Sequence, residues 1–267
     1  MSASRHTNRS VRLTAEQEPF LAVRSLASNY ASGYRIEPHQ HPWHQLLFAI
    51  SGAMTVLTAR SSWMIPTGRA VFIPAGGVHE IRMWGLVEMR TVYFAPPLTS
   101  FEGCAGTNEC RIIEVTPLLR ELILRAVERM GLDSRIAHDA RMIGLMEDEV
   151  KKAIGAAGDP ALTLPMPSDE RVLALAHRVL EQPLSGEGVH DLARQHGVAR
   201  RTLERRFRDE TGMSFGMWRQ KARLLDSIRL LAEGKSVTDA ALDSGYSSVS
   251  AFIAAFKSTF GYTPGRL

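Results

Sequence analysis

The C-terminal region of the chain contains one pattern twice. The first copy, VHDLARQHGVARRTLERRFRDETG, spans residues 189–212, and the second, SVTDAALDSGYSSVSAFIAAFKSTFG, spans residues 236–261. In each copy a glycine, Gly197 or Gly245, follows a short helical pattern at a point that needs a left-handed turn. A second helical pattern comes next. Two short helices joined by such a turn are typical of a helix-turn-helix, so the sequence predicts two of these units.

The second helix of each unit is predicted to have one buried face. Leu203 and Phe207 lie four positions apart in the first unit, and Phe252 and Phe256 repeat this spacing in the second. Between the units lies an amphipathic helical segment over 217–235. It could hold the units apart so that both enter successive major grooves on one face of DNA.

The opposite face of the second helix in the first unit is basic. Its exposed positions are expected to be Arg200, Arg201, Glu204, Arg205 and Arg208. Arginine can pair with guanine through two hydrogen bonds, and glutamate can accept one from cytosine N4, so this face suits a major groove. A solvated surface helix is the alternative, and the recurrence of the pattern weakens it. A formal net charge of +4 is compatible with nucleic-acid binding.

These segments resemble the AraC/XylS family of transcriptional regulators. The matching stretches, all within residues 168–267, are ARRTLERRF, ETGMSF, RLLDSIRLL, VTDAALDSGYSS, AFIAAFK and FGYTP. The resemblance implies that Arg201, Glu204 and Arg205 contact base edges from the first unit.

By the same resemblance, Ser250, Ala251 and Ala254 occupy the base-contacting positions of the second unit. These side chains are small. We therefore expect the second unit to contribute mainly phosphate contacts, together with contacts to thymine methyl groups. The expected phosphate-contacting residues are Ser247, Ser248 and Lys257.

The N-terminal region has a different pattern. Between about residues 20 and 96, short β-forming segments such as HQLLFAI and AMTVLTA alternate with glycine and proline turns, which predicts a sandwich or barrel. Helical patterns follow at about 117–130 and 138–156. The proline-rich segment GDPALTLPMPS then separates them from the double helix-turn-helix.

We therefore predict an α+β chain of two domains, an N-terminal β-barrel or jelly roll with following helices and a C-terminal all-α double helix-turn-helix. The predicted boundaries are a flexible tail over 1–18, a sensor domain over 19–97, a helical connector and dimerisation region over 98–157, a linker over 158–167 and a DNA-binding domain over 168–267.

Three histidines fall within the segment PHQHPWHQLL at residues 38–47. On a regular strand, His39 and His41 point to the same face, and His79 from a neighbouring strand could complete a three-nitrogen site. Gln45 could add a neutral oxygen. His44 would lie on the opposite face, as a surface or edge histidine. Imidazole nitrogens suit Zn, Ni, Cu or Fe.

The spacing of these residues resembles the two signature motifs of the cupin superfamily, over roughly residues 20–96. The matching residues are Gly33, His39, His41, Gln45 and Gly52 in the first motif and Gly68, Pro74, Gly76 and His79 in the second. The resemblance implies a divalent transition metal (Zn, Ni or Fe) held by His39, His41, Gln45 and His79, with glutamine in place of the usual glutamate. Alternatively, the histidines hydrogen-bond a small ligand or one another without a metal.

Together these features predict a sequence-specific DNA-binding regulator of the AraC type. A small molecule, a metal or both in the barrel would modulate its DNA binding or activation. A DNA-binding protein with a vestigial barrel and a metal-dependent cupin enzyme fused to a DNA-binding module are the alternatives. We expect no enzymatic activity, because the carboxylate ligand is missing and a DNA-binding module is attached.

The expected partners are double-stranded DNA, a small-molecule effector, a second copy of the chain and RNA polymerase. An apolar stripe of Leu118, Leu122 and Met130 is a candidate dimer seam, although it could instead pack on the barrel. Two cysteines imply no disulfide framework. No apolar run reaches the length of about 18 residues that a membrane span needs, and the N-terminal segment lacks the apolar core of a secretory signal. We expect a cytoplasmic protein.

Overall fold

A computed structural model describes residues 20–101, 109–156, 158–183 and 187–266. The tail predicted over 1–18 lies outside these residues. The strands are β1 (Leu21–Tyr30), β2 (Arg35–His39), β3 (His44–Ala49), β4 (Ala53–Leu57), β5 (Ser61–Ile65), β6 (Arg69–Ile73), β7 (His79–Trp84), β8 (Val87–Phe94), β9 (Arg111–Glu114), β10 (Gly131–Asp133) and β11 (Thr163–Pro165). The helices are α1 (Pro117–Arg129), α2 (Ala137–Gly155), α3 (Glu170–Glu181), α4 (Val189–Gln195), α5 (Arg200–Thr211), α6 (Phe215–Ala232), α7 (Val237–Asp243) and α8 (Val249–Phe260).

The strands form two antiparallel sheets that face each other, as the jelly-roll prediction requires. Sheet A has the order β10-β1-β8-β3-β6-β9, and sheet B has the order β11-β5-β4-β7-β2. Leu47 and Val71 of sheet A share a buried core with Met54 and Ile65 of sheet B. Their strand neighbours Leu46 and Phe72 are also apolar and belong to a second buried cluster, so sheet A is buried on both faces.

Three strands lie beyond residue 97, where the predicted sensor domain ends. β9 and β10 come from the segment predicted as a helical connector, and β11 comes from the predicted linker. β11 pairs with β5, with Thr163 opposite Trp63. The segment between the two regions is therefore an edge strand of sheet B and not a free tether.

Helices α1 and α2 cover the outer face of sheet A. Leu119, Ile123 and Met146 of these helices share a buried cluster with Val92 and Phe94 of β8. The Thr116 side chain caps α1 by accepting a hydrogen bond from the Leu119 backbone N–H.

The apolar stripe predicted as a candidate dimer seam is divided between two environments. Leu118 is 46% exposed and Met130, which follows the last residue of α1, is 77% exposed. Leu122 is half-buried and packs against the cluster beneath α1. One part of the stripe therefore packs on the sandwich, and the rest faces solvent.

The C-terminal helices form two helix-turn-helix units, as predicted. α4 and α5 form the first unit, α7 and α8 form the second, and α6 lies between them. Gly197 has φ 64° and Gly245 has φ 79°, the left-handed backbone that the turns require. Helix α6 also packs against β4, β7 and β11, so the C-terminal helices cover sheet B. None of the helices in the described part of the chain combines the length and the apolar character that crossing a membrane requires.

Candidate DNA-binding surface and histidine cluster

The structure places the charged side chains predicted on α5 at the surface. Leu203 and Phe207 are fully buried, which fixes the orientation of the helix. The opposite face exposes Arg201 and Arg205 to solvent. Arg200 and Arg208 are also exposed, whereas Glu204 between them is half-buried. The side chains that could contact bases are therefore accessible on one face of α5.

Sequence analysis missed the residues that hold α5 in place. Arg206 on this helix forms ion pairs with Glu210 and Asp169. The Glu210 carboxylate also accepts hydrogen bonds from the backbone and hydroxyl groups of Ser168. Burial alone would raise the pKa of Glu210, but these hydrogen bonds and Arg206 lower it. The spacing of Arg206 and Glu210, four positions apart, was the available signal.

Helix α8 has the sparser surface that its sequence predicts. All six predicted contact residues are exposed, namely Ser247, Ser248, Ser250, Ala251, Ala254 and Lys257. Ser248 caps the helix and accepts a hydrogen bond from the Ala251 backbone N–H at 3.2 Å. Its hydroxyl proton stays available to a phosphate oxygen. Lys257 is the one charged side chain of α8, so the two recognition helices differ strongly in charge.

Three histidines converge at one end of the sandwich. His39 is the last residue of β2 and pairs across the ladder with His79, the first residue of β7. Their ring centroids lie 4.3 Å apart. The prediction that His39 and His41 share a strand face is wrong, because β2 ends at His39 and His41 lies in the following loop. That loop nevertheless brings the ring of His41 within 5.3 Å of the His79 ring.

The three imidazoles make the same type of hydrogen bond to the backbone. Their Nδ1 atoms lie 2.9 Å from the Glu37 carbonyl for His39, 2.7 Å from the Trp43 carbonyl for His41 and 2.8 Å from the Gly77 carbonyl for His79. A carbonyl oxygen only accepts, so each Nδ1 carries the proton and each Nε2 keeps its lone pair. Metal-binding histidines use the same arrangement, in which a second hydrogen bond fixes the tautomer and ring orientation.

Gln45 extends the cluster from the neighbouring strand β3. Its side chain is 2% exposed, and its Oε1 lies 3.0 Å from the Nε2 of His41. Its Nε2 donates to the Tyr93 hydroxyl at 3.3 Å. If the Gln45 amide is turned over, its N–H donates to the His41 Nε2 and its oxygen accepts from the Tyr93 hydroxyl, so Gln45 can pair with His41 with or without a metal.

Burial favours the neutral forms of His41, His79 and Tyr93. Burial lowers the pKa of His79 to about 4, and it also lowers the pKa of His41. Burial raises the pKa of Tyr93 to about 12. The Nε2 atom of His79 is buried, and within the described residues it has no hydrogen-bond partner.

The donor set therefore fits a metal ion. Each of His39, His41 and His79 offers one ring nitrogen, and these three nitrogens lie within 4.8 Å of one another. Burying the Nε2 lone pair of His79 without a partner is unfavourable. A metal ion or a hydrogen-bond donor that binds this lone pair would remove the cost. Nitrogen donors of this kind suit Zn, Ni or Fe.

His44 lies outside the cluster, as predicted, although it is not a surface residue. Its ring stacks on Phe72 at 5.5 Å, and its Nδ1 accepts a hydrogen bond from the Ala75 backbone N–H. The side chain is half-buried. Its role is therefore to pack and to fix the loop that precedes β7.

Comparisons with known proteins assign both regions. A model of the AraC-like ligand-binding domain matches residues 22–146, and a model of a helix-turn-helix domain matches residues 192–267. The HTH-type transcriptional regulator NimR of Escherichia coli K12 is 30% identical over 228 residues, which cover 85% of this chain and 80% of NimR. The transcriptional activator RhaR of Mannheimia succiniciproducens is 34% identical over 233 residues, covering 85% of this chain and 84% of RhaR. The crystal structure of ToxT from Vibrio cholerae O395 matches 92% of this chain and 96% of its own, with 12% identity and a TM-score of 0.38.

Proposed function

Because this chain belongs to the AraC family of transcriptional regulators, we propose that its histidine cluster is a metal-dependent effector site that controls DNA binding by the two helix-turn-helix units. One observation carries this proposal. Three imidazoles converge with Nδ1 committed to backbone carbonyls, and the buried Nε2 of His79 has no partner among the described residues. His39, His41 and His79 would hold the metal, and Gln45 would supply a neutral oxygen.

A bound Zn, Ni or Fe ion would supply a Lewis-acid position at which a donor atom of a small-molecule effector can coordinate. The chain's own groups set the surroundings of that position. Gln45 is held by the Tyr93 hydroxyl, and burial keeps the Tyr93 phenol protonated. We infer that the cluster binds without turnover. The donor set lacks a carboxylate that could act as general base, and the relatives are regulators.

The two recognition helices are proposed to share the work of DNA binding unequally. Helix α5 would contact base edges through Arg201, Glu204 and Arg205, because exposed guanidinium groups can form bidentate pairs with guanine. Helix α8 would position the protein through phosphate contacts of its serines and Lys257. RNA polymerase is a further proposed partner, and a promoter target would place the protein in the cytoplasm.

Zinc binding by the full-length chain tests the metal site. We expect titration calorimetry to show one zinc site in the wild type and its loss in His79→Ala, because the substitution removes the buried nitrogen donor. His138→Ala is the matched control, since His138 is exposed on α2. Equal zinc binding by both variants would refute the site.

Operator binding then tests control by the metal. An operator duplex is first selected from randomised DNA with the wild-type chain, and its Kd is measured with zinc and after chelation. We expect the two Kd values to differ. A metal that leaves operator affinity unchanged would favour a vestigial barrel.

We also propose that the chain forms a homodimer through the outer layer of α1 and α2. These helices pack against each other and leave Leu118 and Leu145 46% and 42% exposed. Leu118→Glu should shift sedimentation from dimer to monomer, because a charge at an apolar interface must be desolvated. Leu242→Glu is the control, since Leu242 is 57% exposed on α7. A dimer that tolerates Leu118→Glu would exclude this seam.

A further inference from the structure

Strands β2 and β7 join the histidine cluster to a second site at their opposite ends. β2 is one of the two edge strands of sheet B and pairs with β7 alone within that sheet. His39 and His79 face each other at one end of this pair. At the other end lie the turn before β2, which contains Ser32, and the turn after β7, which contains Gly85. The Gly33 N–H donates to the Met83 carbonyl at 2.9 Å and ties the first turn to β7.

The second site is a contact with the C-terminal end of α6, which we name the interdomain contact. Its residues are Ser32, Trp84 and Gly85 of the sandwich and Arg229, Ala232 and Glu233 of the α6 end. The Gly85 N–H donates to the Ser32 hydroxyl at 3.1 Å, and that hydroxyl donates to Glu233 at 2.9 Å. One serine therefore bridges β7 and α6.

The interdomain contact leaves no space at Gly85. A Cβ atom at this position would lie 2.1 Å from the Ala232 carbonyl oxygen, far inside van der Waals distance. Gly85 also has φ 72°. A side chain here would therefore push the end of α6 away from the sandwich.

Two side chains, Trp84 of β7 and Arg229 of α6, face each other across the interdomain contact. The Arg229 guanidinium lies 5.4 Å from the Trp84 ring centroid and is held by Asp226 and Glu233. The Trp84 indole N–H donates to the Thr55 hydroxyl at 2.8 Å, which fixes the ring. The Trp84 ring and the Arg229 guanidinium are therefore each held in place by hydrogen bonds or ion pairs within their own part of the chain.

Two features leave room for movement between the histidine cluster and α6. The register of the β2–β7 pair shifts between Ile36 and His39, so the edge strand is irregular next to the histidines. Beside it, a cavity of about 60 Å³ lies between part of sheet B and α6, lined in part by Thr55, Arg82 and Asp226. The cavity leaves room for a small shift of α6 on the side away from Gly85. Because α6 packs against both α5 and α7, such a shift reaches both helix-turn-helix units.

We propose that occupancy of the histidine cluster is coupled to DNA affinity through the β2–β7 pair and the interdomain contact. A ligand that draws His39 and His79 together orders the edge strand and strengthens the bridge from Ser32 to α6. This mechanism rests on the proposed function, because it requires a ligand at the cluster. Ser32, Trp84 and Gly85 act as positioning residues and touch neither the ligand nor DNA.

Hydrogen exchange and operator binding of the full-length chain test the coupling, with zinc ion as the probe. In the wild type we expect zinc to slow amide exchange at residues 229–234 and to change operator Kd about fivefold or more, the usual lower range of allosteric coupling. In Gly85→Ala we expect zinc still to bind, with both effects lost. Gly68→Ala is the matched control, because Gly68 has φ 77° and open space around its Cβ position. It should behave as the wild type.

Two further arms keep the outcomes separate. Ser32→Ala removes the bridging hydroxyl without filling space and replaces Gly85→Ala if that variant does not fold. Zinc effects that persist in the folded variants overturn the coupling, as does wild-type zinc binding without any change at α6 or in operator Kd. If the wild type binds no zinc, the proposed metal site fails. The coupling is then judged with zinc-free His79→Ala, which should speed exchange at residues 229–234, and unchanged exchange overturns it.

Discussion

Replacing both Arg201 and Arg205 with alanine is expected to weaken operator binding by about 2–6 kcal/mol. Each arginine that pairs with a base contributes about 1–3 kcal/mol, and the two contributions add if the contacts are independent. Both side chains are exposed on α5, opposite the buried Leu203 and Phe207. A fluorescence anisotropy titration of the selected duplex at fixed salt measures the change.

The loss should be specific to sequence, which distinguishes it from a general loss of positive charge. Lys257→Ala is the comparison, because it removes one exposed charge from α8. It should weaken binding to all sequences similarly. The slope of the logarithm of the binding constant against the logarithm of the salt concentration should become shallower by about one. If the double arginine variant binds the selected duplex as tightly as the wild type, α5 is not the base-contacting helix.

Phe207→Ala is expected to lower the free energy of unfolding of the C-terminal helices by about 3–5 kcal/mol, the usual range for a buried phenylalanine. The Phe207 ring is fully buried, and its centroid lies 5.1 Å from Phe215 and 5.2 Å from Trp218. These contacts join α5 to α6, so the cavity would loosen the recognition helix from the helix that supports it.

Chemical denaturation followed by circular dichroism at 222 nm measures this change. Leu242→Ala is the control, because Leu242 is 57% exposed and such surface changes stay within about 0.5 kcal/mol. A loss below about 1 kcal/mol for Phe207→Ala would show that these aromatic contacts do not hold α5 on α6.

The double helix-turn-helix could be predicted because its signals are local. The buried pairs Leu203 and Phe207, and Phe252 and Phe256, lie at helical spacing, and both turn glycines adopt the left-handed backbone. The histidine cluster could be predicted because the motif spacing specifies which residues meet, even though His41 lies off the strand. In both cases residue type and spacing determine the arrangement.

Features that depend on distant packing were not predictable. β10 and β11 have three residues each, too few for a periodic pattern, and they form only because a neighbouring strand pairs with them. Arg82 and Thr55 look like solvent-facing strand residues, yet they line the cavity beneath α6. Gly85 resembles any turn glycine in the sequence, and only the approach of Ala232 shows why a side chain is excluded.

The central claim is that two unequal recognition helices bind successive major grooves, and selection from randomised duplex DNA tests it most directly. Sequencing of the duplexes retained by the wild-type chain should show one strongly specified block, contacted by α5. A weaker block should lie about 10 base pairs away, contacted by α8. In the same selection, Arg205→Ala should relax one position of the strong block. Recovery of no enriched sequence, or of a single block that Arg205→Ala leaves unchanged, would contradict the account.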